Sequence, residues 1–234
     1  MSALIAGAGE STGAALAKLF TARGLAVHGA RRRPPQRDEA AAAFTPSAVD
    51  FRDEDAVNAF VSSVEESCGP IKLAVHNIGA NVRFSVADTT PRVYQKTWEL
   101  AALSALHFAR AIGPRMAERG EGTMIFTGAT ASTRGQAGFC AFAGAMHAKR
   151  ALAQSLAREL GPQGVHVCHV VIDGPIDTPF VRQLIGDEAK YAALKAKGGL
   201  LQPDDIAEHY WALHQQRPTA WSFESDLRPS VERW

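Results

Sequence analysis

Ala3-Leu4-Ile5-Ala6-Gly7-Ala8-Gly9-Glu10-Ser11-Thr12-Gly13 is a short apolar run that breaks into a glycine-rich turn and passes directly into a helical pattern over 11–24. Its first four residues have the length and character of a buried strand. The glycines permit a tight turn and let backbone N–H groups approach an anion, and the start of the helix behind them attracts the same negative charge. A glycine cluster is also what any tight turn looks like, so its surroundings decide its meaning.

Further along the chain, strand-like runs recur at 25–30, 48–49, 71–76, 123–127 and 165–172, separated by helical patterns over 53–67, 92–118 and 139–161. Strand and helix in alternation predict an α/β fold, a doubly wound and mostly parallel sheet covered on both faces. After Ile172 the pattern changes. Residues 178–197 predict one or two helices ending at Gly198-Gly199, and Pro203-Asp204-Asp205 starts another. Arg31-Arg32-Arg33-Pro34-Pro35 reads as a loop and the alanines at 40–43 as a weak helix. There is no repeat or linker, so one domain over 1–234 is expected, with 179–200 as a candidate substrate lid.

The bulk numbers narrow the partners. Hydrophobic residues make up 46% and charged residues 21%, and the formal net charge of +1 gives no electrostatic reason to expect nucleic acid or an anionic membrane. A small molecule is the expected partner. Cys68, Cys140 and Cys168 are odd in number and scattered, as reduced thiols are. His166 and His169 flank Cys168, but residues three apart on a strand point to opposite faces, so no metal site is expected. The chain shows neither the start of a signal peptide nor an apolar run of bilayer length, which predicts a cytoplasmic protein.

Four elements stand in a telling order. Gly7, Ser11 and Gly13 fall on a G-x-x-x-G-x-G turn; Asp50-Phe51 follows the third strand; Asn77-Ile78-Gly79 follows the fourth; and Asp173-Gly174-Pro175-Ile176-Asp177-Thr178 follows the sixth. Over roughly residues 3–180 the chain thereby resembles the short-chain dehydrogenase/reductase superfamily. The resemblance implies a Rossmann-like single domain that binds a nicotinamide dinucleotide. Gly7, Gly9, Ser11, Thr12 and Gly13 would lie at the phosphates, Asp50 and Phe51 at the adenine, Asn77 and Gly79 near its ribose, and Thr178 at the nicotinamide amide.

Serine replaces the middle glycine, Asp173 replaces a proline, and 220–229 does not look like the family ending that returns a final strand to the sheet. A divergent subgroup is expected. Arg31 and Arg32 at the end of the second strand point to NADP(H) over NAD(H), since arginine suits a 2′-phosphate where a carboxylate would suit a 2′-hydroxyl. Glu10 in the phosphate turn opposes that preference. In the resembling family the helices equivalent to 92–118 and 139–161 pair across a dimer or tetramer. Here they carry Ala101, Ala102, Ala105, Ala141, Ala145 and Ala148, small enough for close approach, so a homo-dimer or homo-tetramer is expected.

The family's catalysis uses tyrosine as proton donor, a lysine four residues later, a serine on the fifth-strand loop and an asparagine on the long helix before it. The alignment puts Phe142 at the tyrosine, Met146 at the lysine, Ala129 at the serine and Ala101 at the asparagine, all apolar. Tyr94, Tyr191 and Tyr210 are not followed four residues later by lysine, so a slipped alignment does not restore the motif.

The catalytic residues are therefore unassigned. Thr127, Thr130 and Ser132 are hydroxyls that a small change in loop path would bring to the cleft, and Asp173 would act as an acid if burial raised its pKa. His147 is expected to face a neighbour or solvent, Lys149 and Arg150 to form a solvated face, and Cys140 to pack. Arg228 either reaches the cleft or anchors the tail. Leu184, Ile185, Tyr191 and Leu194 suggest an apolar lining for a substrate that the sequence does not identify.

Three functions fit this reading. The first is an NADP(H)-linked oxidoreductase of atypical mechanism, whose hydride acceptor needs no protein acid or takes its proton from water or a loop hydroxyl. The second is a catalytically silent dinucleotide sensor or partner protein. The third is a lyase or isomerase that uses the cleft without hydride transfer.

Overall fold

The computed structural model describes residues 1–33 and 44–232; the loop and weak helix expected at Pro34, Pro35 and 40–43 lie outside the described residues. The chain runs β1 (Ser2–Ala6), α1 (Thr12–Ala22), β2 (Ala26–Arg31), β3 (Thr45–Ala48), α2 (Glu54–Cys68), β4 (Ile71–His76), α3 (Pro91–Trp98), α4 (Ser104–Arg119), β5 (Gly122–Thr127), α5 (Cys140–Leu160), β6 (Val165–Ile172), α6 (Pro179–Ile185), α7 (Glu188–Ala196), α8 (Pro203–His214) and β7 (Glu224–Leu227). Its seven strands form one sheet in the order β3-β2-β1-β4-β5-β6-β7, and every pairing is parallel. This is the doubly wound α/β architecture. The chain reverses direction across the sheet between β1 and β4, which opens a crevice at their carboxyl ends.

Alternation along β1 shows how both faces are filled. Leu4 and Ala6 join one core with Val57, Phe60 and Val61 of α2 and Phe108, Ile112 and Met116 of α4. Ala3 and Ile5 join the other with Leu16 and Phe20 of α1 and Ile206, Tyr210 and Leu213 of α8. The side-chain period of two along a strand gives both helix layers an apolar seat. Helix starts carry local signals: Asp53, Thr90, Thr178 and Asp187 each accept a backbone N–H three residues on. No helix among the described residues is long and apolar enough to cross a membrane.

Two expectations need correction. The closing segment does return a strand: β7 pairs with β6 from His169↔Glu224 to Ile172↔Leu227. Its polar sequence, Glu-Ser-Asp-Leu, hides it, because an edge strand is held by main-chain bonds and need not be apolar. Lys149 and Arg150 are not a solvated face either. Lys149 is wholly buried, and Arg150 makes a two-pronged pair with Glu224 of β7 at 2.6 and 2.7 Å. The expected helix over 92–118 is present but interrupted by a π-helical turn at Glu99–Leu103, and Ala101 lies in that turn.

Candidate functional site

The glycine-rich turn is made tight by the strands around it. Gly7 N–H donates to Ala30 at 2.8 Å, Asn77 Nδ2 donates to the Gly7 carbonyl at 3.2 Å, and Gly7 holds φ +84°. A Cβ on Gly7 would lie 2.8 Å from the Asn77 carbonyl oxygen, and one on Gly13 would lie 2.7 Å from Ala8 Cα. Only glycine fits either place. Gly9 meets nothing within 4 Å and faces open space. Ser11 stands at the N-terminus of α1 without a side-chain cap, so the first amides of the helix are left for an incoming anion.

Beside this turn lies a pocket of about 240 Å³ bounded by Gly7, Gly9, Arg31, Arg32, Asp50, Phe51, Asn77 and Gly79. The residues expected around adenosine are thus gathered in one place. Glu10 is not a lone negative charge: it pairs with Arg31 at 3.3 Å. Arg31 Nε is buried with no partner among the described residues, a donor left for a ligand oxygen. Asp50 accepts from the backbone and guanidinium of Arg52, and that side-chain bond is the main reason its carboxyl is held below the usual range. Turn and pocket fit a dinucleotide.

From Gly9–Gly13 a cleft of about 930 Å³ runs past Thr127–Ala131 and Phe142 to the α6–α7 segment. Ala101, Phe142 and Met146 lie in one apolar cluster with Ala80, Ala131, Ala143 and Ala145, and Ala129 packs against it. Phe142 and Ala129 border the cleft, whereas Ala101 and Met146 are buried behind. Leu184, Ile185 and Leu194 also line it. Tyr191, expected with them, does not: its hydroxyl donates to Asp177, which also binds Lys195 at 2.8 Å. Thr178 does two things, bordering the cleft and capping α6 through Val181 N at 3.1 Å.

The loop hydroxyls separate clearly. Thr127 Oγ1 is bonded to the Tyr210 hydroxyl at 2.8 Å, and Ser132 is fully buried, accepting from Ala129 N at 3.1 Å. Thr130 lines the cleft and donates to Asp173 at 2.6 Å. Asp173 is itself almost wholly buried, and Arg134 and Arg228 reach it at 3.0 and 3.4 Å. Arg228 therefore joins the cleft's polar cluster. His147 is exposed, with Nδ1 at 2.8 Å from Ala143 O, and Cys140 is exposed beside Thr89. His166 approaches Cys168 at 3.1 Å and His169 approaches Glu224 at 2.9 Å, on opposite faces of β6.

Sequence reasoning missed the burial of Lys149. Its ammonium donates to the carbonyls of Ile78 at 2.7 Å and Thr127 at 2.9 Å, and burial pushes its pKa down to about 7. The signal was periodic: Phe142, Met146, Lys149, Ala153 and Leu160 follow helical spacing along the buried side of α5.

Comparison with known proteins agrees with this geometry. Residues 7–220 match the family model described as Enoyl-(Acyl carrier protein) reductase. The chain is 28% identical over 220 residues to a 3alpha-hydroxysteroid dehydrogenase of Mediterraneibacter gnavus, covering 89% of this chain and 87% of that one. It is 37% identical to a short-chain dehydrogenase of Rhodopseudomonas palustris whose crystal structure superposes with a TM-score of 0.78 over 97% and 98% of the two chains. A metagenomic short-chain oxidoreductase crystallised with NADP shares the fold at 23% identity and a TM-score of 0.79, over 99% and 98%. The chain belongs to the short-chain dehydrogenase/reductase superfamily.

Proposed function

We propose that this chain is an NADP(H)-linked oxidoreductase of atypical mechanism that acts on a bulky apolar substrate. The observation that carries the reading is the single cleft joining an anion-ready turn to an apolar chamber. When bound, the dinucleotide supplies or accepts a hydride. Gly7, Gly9, Ser11, Thr12 and Gly13 hold its phosphates, Arg31 and Arg32 its 2′-phosphate, Asp50 and Phe51 the adenine, Asn77 and Gly79 the ribose, and Thr178 the carboxamide. The pairing of Glu10 with Arg31 takes up the charge that would otherwise repel the 2′-phosphate.

At the reaction end the chain supplies no acid in the family's positions, as the alignment places Phe142, Met146, Ala129 and Ala101 there. A ketone reduced in this chamber would leave an alkoxide with no adjacent donor, which costs on the order of 10² to 10⁴ in rate. An iminium ion becomes a neutral amine when it takes the hydride and needs no proton, and an activated alkene takes the hydride to leave a delocalised carbanion that water in the cleft can protonate. Thr130 gives its own proton to Asp173, so its oxygen accepts from a substrate hydroxyl or a water and orients it. The α6–α7 segment acts as a lid whose base is fastened by Asp177 N to Leu201 O and Leu201 N to Pro175 O.

The test is NADPH oxidation by the purified chain against matched panels of imines, activated alkenes and ketones. Turnover of the first two classes with weak ketone reduction supports the reading. Turnover that does not require a nucleotide would overturn it.

One observation favours a second reading, a silent dinucleotide-binding protein: the four apolar side chains form a packed unit. Saturable binding without turnover on any panel would select it. On either reading we expect a homo-dimer or homo-tetramer through the α3–α4 rod and α5, where Tyr94, Trp98 and Leu106 remain exposed. A monomeric solution mass would remove that expectation.

A further inference from the structure

Lys149 is a cation set wholly inside the protein, bonded to two backbone carbonyls and, among the described residues, to no carboxylate. Those carbonyls belong to Ile78, which borders the adenosine pocket, and Thr127, which borders the main cleft. The ammonium thus sits one residue layer beneath the floor on which a dinucleotide would lie.

The titratable groups around it give no compensating negative charge at close range. His76 faces it from β4, with Nε2 at 3.0 Å from the Ser104 hydroxyl of α4. His169 faces it from β6 and is bonded to Glu224 of β7, whose carboxylate is taken by Arg150 of α5. Burial depresses both histidines, His169 to about 4, so both are neutral at pH 7. His76 Nδ1 and His169 Nε2 are buried without partners among the described residues. A buried charge without a counter-ion is costly, and the nearest place where a compensating anion can arrive is the cleft above.

We propose that Lys149 is a positioning residue for the dinucleotide: it ties the ends of β4 and β5 into one floor, and the bound anion favours its ammonium form, so that binding takes up a proton. The tie survives deprotonation, because a neutral amine still has two hydrogens for two carbonyls. Only the charge changes, and that is what couples binding to pH. This inference rests on the dinucleotide reading above.

The experiment is calorimetric titration of the full chain with NADPH and with NADH, from pH 7.0 to 8.5, in buffers of different ionisation enthalpy. In this range the 2′-phosphate is already ionised and contributes little of its own. Wild type should take up roughly half a proton, and its affinity should fall about threefold per pH unit. Lys149→Met should abolish the uptake and flatten the pH profile. Lys72→Arg, which removes the other lysine depressed by burial, should change neither.

If Lys149→Met does not fold, NMR of ¹³Cε-labelled lysine in wild type and Lys72→Arg replaces it. One lysine should titrate near neutral pH, with its midpoint raised by NADPH. An enthalpy independent of buffer, uptake that survives Lys149→Met, or no neutral-range lysine overturns the inference while leaving dinucleotide binding standing. Failure of wild type to bind either dinucleotide overturns both.

Discussion

The two ends of the cleft are built from different parts of the chain. At the glycine-rich turn the work falls to the backbone: Gly7 and Gly13 let main chain approach main chain, and α1 starts without a side-chain cap on its first amides. At the far end, family chemistry needs side chains, and there the chamber presents Ala129 and Phe142 with Ala101 and Met146 packed behind. A backbone site persists as long as the fold does. A side-chain site can be replaced position by position, and on the proposed reading the apolar cluster of Ala101, Phe142 and Met146, with Ala129 packed against it, stands where the family's polar groups would be.

Breaking the backbone end should give the largest effect. Gly13→Val would drive a branched side chain against Ala8 Cα and is expected to abolish NADPH binding detectable by calorimetry and to lower the melting temperature. The apolar end should resist the introduction of a charge. Met146→Lys puts a charge into an apolar cluster with no acidic partner and should cost about 3 kcal/mol or more in denaturant unfolding. Phe142→Tyr, beside it at the cleft wall, should cost less than about 1 kcal/mol because its hydroxyl can reach the cleft.

Asp173 ties the polar side of the chamber together. Asp173→Ala removes the buried carboxylate shared by Arg134, Arg228 and Thr130, while Arg228 keeps its pair with Asp226, and should cost about 2 kcal/mol, read by the same unfolding measurement.

A pH dependence distinguishes the sheet beneath the cleft from its rim. His169 has a folded pKa near 4, against an unfolded value of 6.5, so the unfolded chain binds more protons between these values. Its contribution is present above pH 6.5 and is lost as pH falls toward 4. The loss should reach about 1–2 kcal/mol by pH 5 in wild type and be absent in His169→Phe. Smallest of all, Glu10→Ala breaks a partly exposed pair with Arg31 and should raise NADPH affinity over NADH by a few-fold.

The end built from backbone was the legible one. Strand period, glycine spacing and the positions of Asp50, Asn77 and Thr178 are local features, and the structure gathers Gly7, Arg31, Asp50 and Asn77 around one pocket. What escaped depends on contacts distant in sequence. β7 is four mostly polar residues, recognisable as a strand only beside β6. Lys149 was read by its charge, whereas its place on the buried stripe of α5 and the two carbonyls it meets set its environment. Thr130 and Ser132 are two residues apart, and the choice between them rests on Asp173, 43 residues beyond Thr130. Tyr191 looked like lining until Asp177 claimed its hydroxyl.

The most direct test of the account is calorimetric titration of the apoprotein with NADPH and NADH, repeated with adenosine 2′,5′-bisphosphate to isolate the adenosine end. Micromolar NADPH binding, tighter than NADH and partly reproduced by the bisphosphate, is the predicted result. Absence of binding by either dinucleotide at millimolar concentration would contradict it, and would mean that the turn has been kept for its fold alone.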